Sequence, residues 1–145
     1  MMPDGYELAA ETPPAEDYLR LRVAAGLSRK SPEGAAIGLA NSWHAVVVRH
    51  GGEIVGMGRV IGDGGCFFVV VDIAVVPELQ GRGLGRRIMA ALDAWLRANV
   101  PESAYVSLVA DGDAKHLYAK FGFVDTAPQS INMEYVMGPG GKRPG

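Results

Sequence analysis

Residues 69 to 87 read VVVDIAVVPELQGRGLGRR, an apolar run that breaks at Pro77 and passes through three glycines into a helical pattern. Apolar side chains at Leu84, Ile88, Ala91, Leu92, Trp95 and Leu96 fall on one stripe, as in a helix packed on a sheet. The start of that helix has no Ser, Thr, Asp or Asn to satisfy its first N–H groups; glycines and arginines stand there instead. An uncapped helix start with a closely approachable backbone and nearby guanidinium groups suits a phosphate, whose oxygens act as the cap. By themselves the three glycines favour a plain strand-to-helix turn. Two phosphate loops fail on residues. A nucleotide P-loop needs Lys and then Ser or Thr where Arg86 and Arg87 follow, and a dinucleotide fingerprint needs Gly where Arg86 or Ile88 stands.

The rest of the chain supplies layers for this unit. Tyr6 to Ala10 is a short strand candidate. Pro13-Pro14 opens a helix in which Tyr18, Leu19, Val23 and Leu27 recur at helical spacing. Ser31-Pro32-Glu33-Gly34 reads as a cap with Pro at the first helical position, so a second short helix runs to about Gly38, with a loop over Leu39 to Trp43. Ala45 to His50, a Gly51-Gly52 turn and Ile54 to Ile61 form a hairpin. A second tight turn at Gly62 to Gly65 leads into Cys66 to Val76, whose near-continuous apolarity predicts a central, doubly covered strand. After the helix, which ends near Asn99, Ala104 to Val109 is a strand parallel to the central one, because a helical crossover reaches it. Asp111-Gly112-Asp113 supplies turn and cap chemistry for a helix from Ala114 to Phe121, stopped by Gly122. Further strands are expected from Phe123-Val124 and at Asn132 to Met137.

At 145 residues, with 48% hydrophobic and 21% charged, the chain has the balance of one globular domain. That domain is expected over 1–138, with 139–145 (PGGKRPG) composed for disorder. A formal charge of −2 gives no global pull toward nucleic acid or an anionic membrane, so any polyanion site must be local, as at Arg82, Arg86 and Arg87. Cys66 is the lone cysteine, which excludes an intrachain disulfide and fits a reducing compartment. In its apolar strand it reads as a small buried hydrophobe. No basic region leads into an apolar one at the N-terminus and no apolar run reaches the length of a membrane span, so the cytoplasm is the expected location.

Gln80-x-x-Gly83-x-Gly85, directly after the strand ending Asp72-Ile73-Ala74-Val75-Val76, resembles the acetyl-CoA signature of the GCN5-related N-acetyltransferases (GNAT). Ala114-Lys115-His116-Leu117-Tyr118-Ala119-Lys120-Phe121-Gly122-Phe123 is similar to that family's Ala-x-x-x-Tyr-x-x-x-Gly-Phe segment. The resemblance covers roughly Val46 to Val124, and two motifs at family-like separation are far more specific than either alone. It implies an α/β fold: a mixed, centrally splayed sheet flanked by helices, with pantetheine filling the splay like an added strand. It implies acetyl-CoA as cosubstrate, held by Ile73, Ala74 and Val75, by Gln80, Gly81, Arg82, Gly83, Leu84, Gly85 and Arg86 around the diphosphate, and by Asp111, Ala114, Tyr118 and Phe121. Ile73 N–H would polarise the acetyl carbonyl, and the Tyr118 hydroxyl would protonate the departing thiolate. Asp111 stands where many members have an Asn contacting pantetheine and would keep that contact or help relay a proton. The acceptor is a small-molecule or protein amine, attacked directly in a ternary complex; the early helices form one wall of its cleft. No nucleic acid or membrane partner is implied, and a homodimer is a family habit.

The general base is the point of departure. Residues 69, 71, 73 and 75 alternate onto one strand face, and Val69 and Val71 are apolar where some members carry Glu or His. Asp72 points to the opposite face on this alternation, where a structural hydrogen-bonding role is at least as apt. Glu33 and His116 are fallbacks, and His44, His50 and His116 have no metal-ligand spacing, so no metal is expected. Without a strand base, a catalytically weak CoA-binding regulatory module is the alternative reading. A nucleotide-binding enzyme is a more distant one.

Overall fold

In the computed structural model, which describes residues 2–141, five strands and four helices follow one another. They are β1 (Tyr6–Ala10), α1 (Ala15–Ala24), α2 (Pro32–Ala40), β2 (His44–His50), β3 (Glu53–Gly62), β4 (Phe67–Val75), α3 (Leu84–Asn99), β5 (Tyr105–Ser107) and α4 (Ala114–Ala119). The sheet runs in the order β1-β2-β3-β4-β5. Its first four strands are antiparallel neighbours, and β5 is parallel to β4. This is the expected mixed sheet flanked by helices.

Local chemistry sets most of these boundaries. Gly51 and Gly52 both have positive φ, the backbone a two-residue hairpin turn demands. At the next turn the Asp63 carboxylate accepts N–H bonds from Gly65, Cys66 and Phe67, which hold it ionised below the usual carboxylate range. The Ser31 hydroxyl accepts from Gly34 N–H and starts α2, which runs past Gly38 to Ala40, so the loop expected from Leu39 is shorter. α1 departs from its expected stripe: Tyr18, Leu21 and Arg22 are its buried residues, while Val23 faces water. Arg22 is drawn inward by a buried carboxylate, which rotates the buried face away from Val23.

α3 buries Leu84, Ile88, Met89, Leu92 and Leu96 against one face of the sheet, each worth about 1.5–3 kcal/mol. α1 and α2 cover the other face through Tyr18, Leu21, Ala35 and Leu39. Gly58 of β3 lies under α3, where an added Cβ would come within 2.7 Å of Ile88 Cγ2 and 3.0 Å of Leu92 Cδ1. Gly58→Ala is therefore expected to destabilise the fold by about 1–3 kcal/mol through overpacking. An unchanged denaturation midpoint would show instead that α3 can slide.

Opposite Gly58 the ladder slips. Met57 pairs with Ala74 and Arg59 with Val71, so Asp72 and Ile73 together face one residue of β3, and Asp72 has φ +60°. This bulge overturns the simple alternation expected for β4. Phe68 and Val70 point to α3, but so do Ile73 and Val75, whereas Asp72 and Ala74 face α1 and α2. The extra residue inverts the parity, so Val69 and Val71 do not share a face with Ile73 and Val75.

Three other expectations are corrected. Cys66 precedes β4 and is exposed rather than buried: its N–H is tied to the Asp63 turn and its carbonyl accepts from Tyr105 N–H at the sheet's end. β4 is less covered than its composition suggests, with Val69, Val71 and Ile73 half-buried, since β5 spans only Tyr105–Ser107 rather than 104–109. No strand forms at Phe123-Val124 or at Asn132 to Met137 among the described residues: β5 is too short a template, and Val124, Ile131, Met133 and Tyr135 lie exposed. Of the tail expected from Pro139 onward, Pro139–Gly141 forms a short 3-10 turn and residues 142–145 lie outside the described residues.

Candidate active site

Parallel pairing between β4 and β5 covers Phe67, Phe68 and Val69 only. At Val69 β5 ends with its partner Ser107, and β4 runs on to Val75 paired with β3 alone among the described residues. Its other edge therefore presents backbone N–H and C=O groups along Ile73, Ala74 and Val75, a template for an extended ligand.

That open edge leads into the glycine loop. A 3-10 turn at Pro77–Leu79 is followed by Gln80, whose side-chain amide donates to the Val75 carbonyl at 2.9 Å. Gln80 thus ties the loop to the end of β4. Gly81 and Gly83 take φ +77° and +80°, the left-handed conformation that glycine adopts without a Cβ penalty. Gly83 caps α3 with no side-chain hydrogen bond, and no acidic residue occupies the first turn. The N–H groups of Leu84, Gly85 and Arg86 have no helical carbonyl to bond, and Arg82 and Arg86 are exposed beside them. Partial positive charge and backbone donors without helical partners meet at this helix start, with two exposed arginines in the same stretch.

From the other side, Tyr118 of α4 packs on the same core cluster as Ile73 and lies edge-on to Phe123, ring centroids 6.4 Å apart. It is half-buried. Burial, and then the nearby Asp111 charge, raise its pKa above the usual tyrosine value, so it stays protonated and able to donate at neutral pH. Asp111 itself is exposed, and its carbonyl accepts from Ala114 N–H; Asp113, expected to cap the helix, makes no side-chain cap bond. α4 ends at Ala119, short of Phe121, whose N–H bonds the Tyr118 carbonyl. A cavity of about 890 Å³ lies between Leu96, Arg97, Val106, Tyr118 and Phe123, but neither Ile73–Val75 nor the glycine loop lines it. Tyr118 is thus shared between this cavity and the core cluster that contains Ile73.

Asp72, at the bulge, has both carboxylate oxygens engaged. Arg22 Nη1 donates to Oδ1 in a short contact, while Arg59 Nε and the Tyr18 hydroxyl donate to Oδ2 at 2.8 and 3.1 Å. Desolvation, reinforced by the Asp72 charge, raises the pKa of Tyr18, which keeps it a donor to this carboxylate. The cluster is a finding the sequence reading missed. Its signal was two opposite charges, Arg59 and Asp72, inside otherwise apolar strands joined by a tight turn, where each needs a partner. Among the described residues no group of three His, Cys, Asp or Glu side chains is placed to hold a metal, and no helix is long and apolar enough to cross a membrane.

A family model described as an acetyltransferase (GNAT) domain matches residues 41–125, which hold the bulged strand, the glycine loop and Tyr118. The chain belongs to the GNAT acetyltransferase family. A protein of unknown function from meticillin-resistant Staphylococcus aureus, described as a probable acetyltransferase, superposes with a TM-score of 0.84 at 43% identity, covering 89% of this chain and 97% of that one. The ribosomal-protein-S18-alanine N-acetyltransferase of Escherichia coli shares the fold, with a TM-score of 0.72 at 20% identity over 95% of this GNAT chain and 88% of that one. An uncharacterised N-acetyltransferase of Porphyra purpurea is 34% identical over 72 residues, half of this chain. That match spans 40% of the relative's own length.

Proposed function

We propose that this GNAT protein is an acetyl-CoA-dependent N-acetyltransferase that moves an acetyl group to a primary amine by direct attack in a ternary complex. The observation that carries the reading is the open β4 edge running into an uncapped, arginine-flanked α3 N-terminus. The first offers amide pairing and the second a diphosphate cradle, in the order a pantetheine diphosphate requires. Bound there, acetyl-CoA supplies a thioester activated toward amines.

In this reading Ile73 N–H polarises the acetyl carbonyl, Val75 backbone orients the pantetheine amides, and the N–H groups from Gly81 to Arg86 receive the diphosphate. Tyr118 donates its proton to the departing thiolate. With Asp72 saturated and Val69 and Val71 apolar, the amine proton leaves through water, ending at exposed Asp111. Direct attack is favoured over an acetyl-enzyme because Cys66 precedes the first residue of β4, roughly 20 Å along the strand from Ile73. That lone thiol suits the cytoplasm, and the acceptor is a small-molecule or protein amine rather than a nucleic acid.

Gly85 gives the clean test. An added Cβ there meets nothing within 4 Å and its φ is not positive, unlike Gly83, where a side chain would also strain the backbone. Gly85→Val is expected to fold normally and to weaken CoA binding by about tenfold or more, the loss of charge-assisted hydrogen bonds. Calorimetric affinity equal to wild type would overturn the cofactor assignment. A regulatory CoA-binding module is the second reading, favoured by the absence of a free strand carboxylate. Thermal stabilisation by acetyl-CoA with no transfer across an amine panel would select it.

A further inference from the structure

The cluster under the bulge is not charge-balanced. Arg22 and Arg59 are both more than nine-tenths buried and share the single carboxylate of Asp72, leaving one formal positive charge inside the protein. Each nitrogen of Arg22 has an acceptor, since Nη1 bonds Asp72 and its Nε and Nη2 bond the Ser28 carbonyl and hydroxyl. Arg59 differs. Its Nε holds Asp72 and its Nη1 bonds the Gly38 carbonyl and Ser42 hydroxyl, but Nη2 has no acceptor among the described residues.

Arg59 lines a cavity of about 180 Å³ between α1, α2 and β3, together with Tyr18, Lys30, Ser31, Gly34 and Gly38. No acidic side chain lines it, and Lys30 has no carboxylate partner among the described residues. α2 lines the cavity with Gly34, Ala35, Gly38 and Leu39, and a Cβ added at Gly38 would lie 3.9 Å from Arg59 Nη2. Neither glycine has positive φ, so the backbone does not demand them. Each costs about 1 kcal/mol in a helix relative to alanine. What they provide is room beside the Nη2 edge of Arg59, which has no acceptor among the described residues.

We infer that this cavity is an anion subsite for the acceptor, and that the acceptor is a small amine carrying a carboxylate or phosphate group. The inference rests on the acetyltransferase reading only for the word acceptor. Arg59 Nη2 and Lys30 supply the charge, and the Ser31 hydroxyl and bare glycine wall supply a further polar contact and space. The position fits, because Arg59 lies opposite Val71 and bonds Asp72, the residue before Ile73. An anion seated there is held on the α1 and α2 side of β4, next to the point where β5 departs.

Two measurements test this on the full chain. Calorimetry with acetate and with inorganic phosphate, in the absence of CoA, asks whether the cavity takes an anion and which one. A kinetic panel pairs β-alanine with β-alaninamide, and phosphoethanolamine with ethanolamine, at saturating acetyl-CoA. Anion binding is expected, as is a KM about tenfold or more lower for the acidic member of one pair, the size of one charge-assisted hydrogen bond. Gly38→Leu fills the cavity while improving helix propensity, and Lys30→Ala alters an exposed side chain; both should weaken the anion and collapse the KM ratio. CoA affinity, titrated on the same variants, reports an intact fold. Absence of anion binding, or binding unchanged in Gly38→Leu, overturns the subsite even if neutral amines are acetylated. Should no amine react, anion binding lost in Gly38→Leu still supports the subsite, and it is the transferase reading that fails.

Discussion

Tyr118→Phe is expected to lower turnover about a hundredfold or more while leaving acetyl-CoA affinity near wild type. The ring is half-buried against Phe123 and the core, so removing one oxygen keeps the packing. In the proposed reaction what disappears is a donor for the charge that develops on the departing sulfur, an interaction made in the transition state, so kcat should fall and binding should not. Because burial and Asp111 raise the Tyr118 pKa, the acid form persists through neutral pH. The wild-type rate should decline only above the usual tyrosine range, and that alkaline limb should be missing in the variant. Steady-state kinetics across pH, with chemistry rate-limiting, decide it. A wild-type rate in the variant would make Tyr118 a packing residue.

Asp72→Asn is expected to cost about 3–5 kcal/mol of folding stability, the penalty for stranding buried charge without its partner. Asparagine is nearly isosteric with aspartate and tolerates the left-handed backbone at this position, so the substitution isolates charge from strain. It leaves Arg22 and Arg59 facing a neutral amide, one edge of which is itself a donor. Denaturant unfolding should show a lower midpoint with an unchanged slope. A loss below about 1 kcal/mol would mean that water already screens the cluster. The hydrogen-bonding role that the sequence allows for Asp72 is the one this saturated carboxylate fills.

Much of the candidate site is legible in the sequence. The loop from Gln80 to Arg86 announced itself because glycine placement, a missing cap and flanking arginines are all local facts, and the structure places them where the pattern implied. The α3 stripe was likewise readable, with Met89 the one buried side chain left out. Less legible was β4. Its composition predicted a doubly covered strand, and nothing in VVVDIAVV reveals that one residue is extra to the ladder. The bulge depends on what β3 offers opposite, and that is Gly58, held small by Ile88 and Leu92.

By itself, then, the sequence determined the order of elements from β1 to α4, the turns, the amphipathic helix and the glycine loop. These follow from side-chain period and backbone freedom within a few residues of each position. Only the tertiary structure decided which face Asp72 takes, that Arg22 and Arg59 compete for it, and that β5 leaves β4 after Val69. Those outcomes turn on contacts between residues 13 to 54 positions apart. A buried charge settles where a counter-charge is brought to it, and that meeting is arranged by the packing of whole elements rather than by neighbours in the chain.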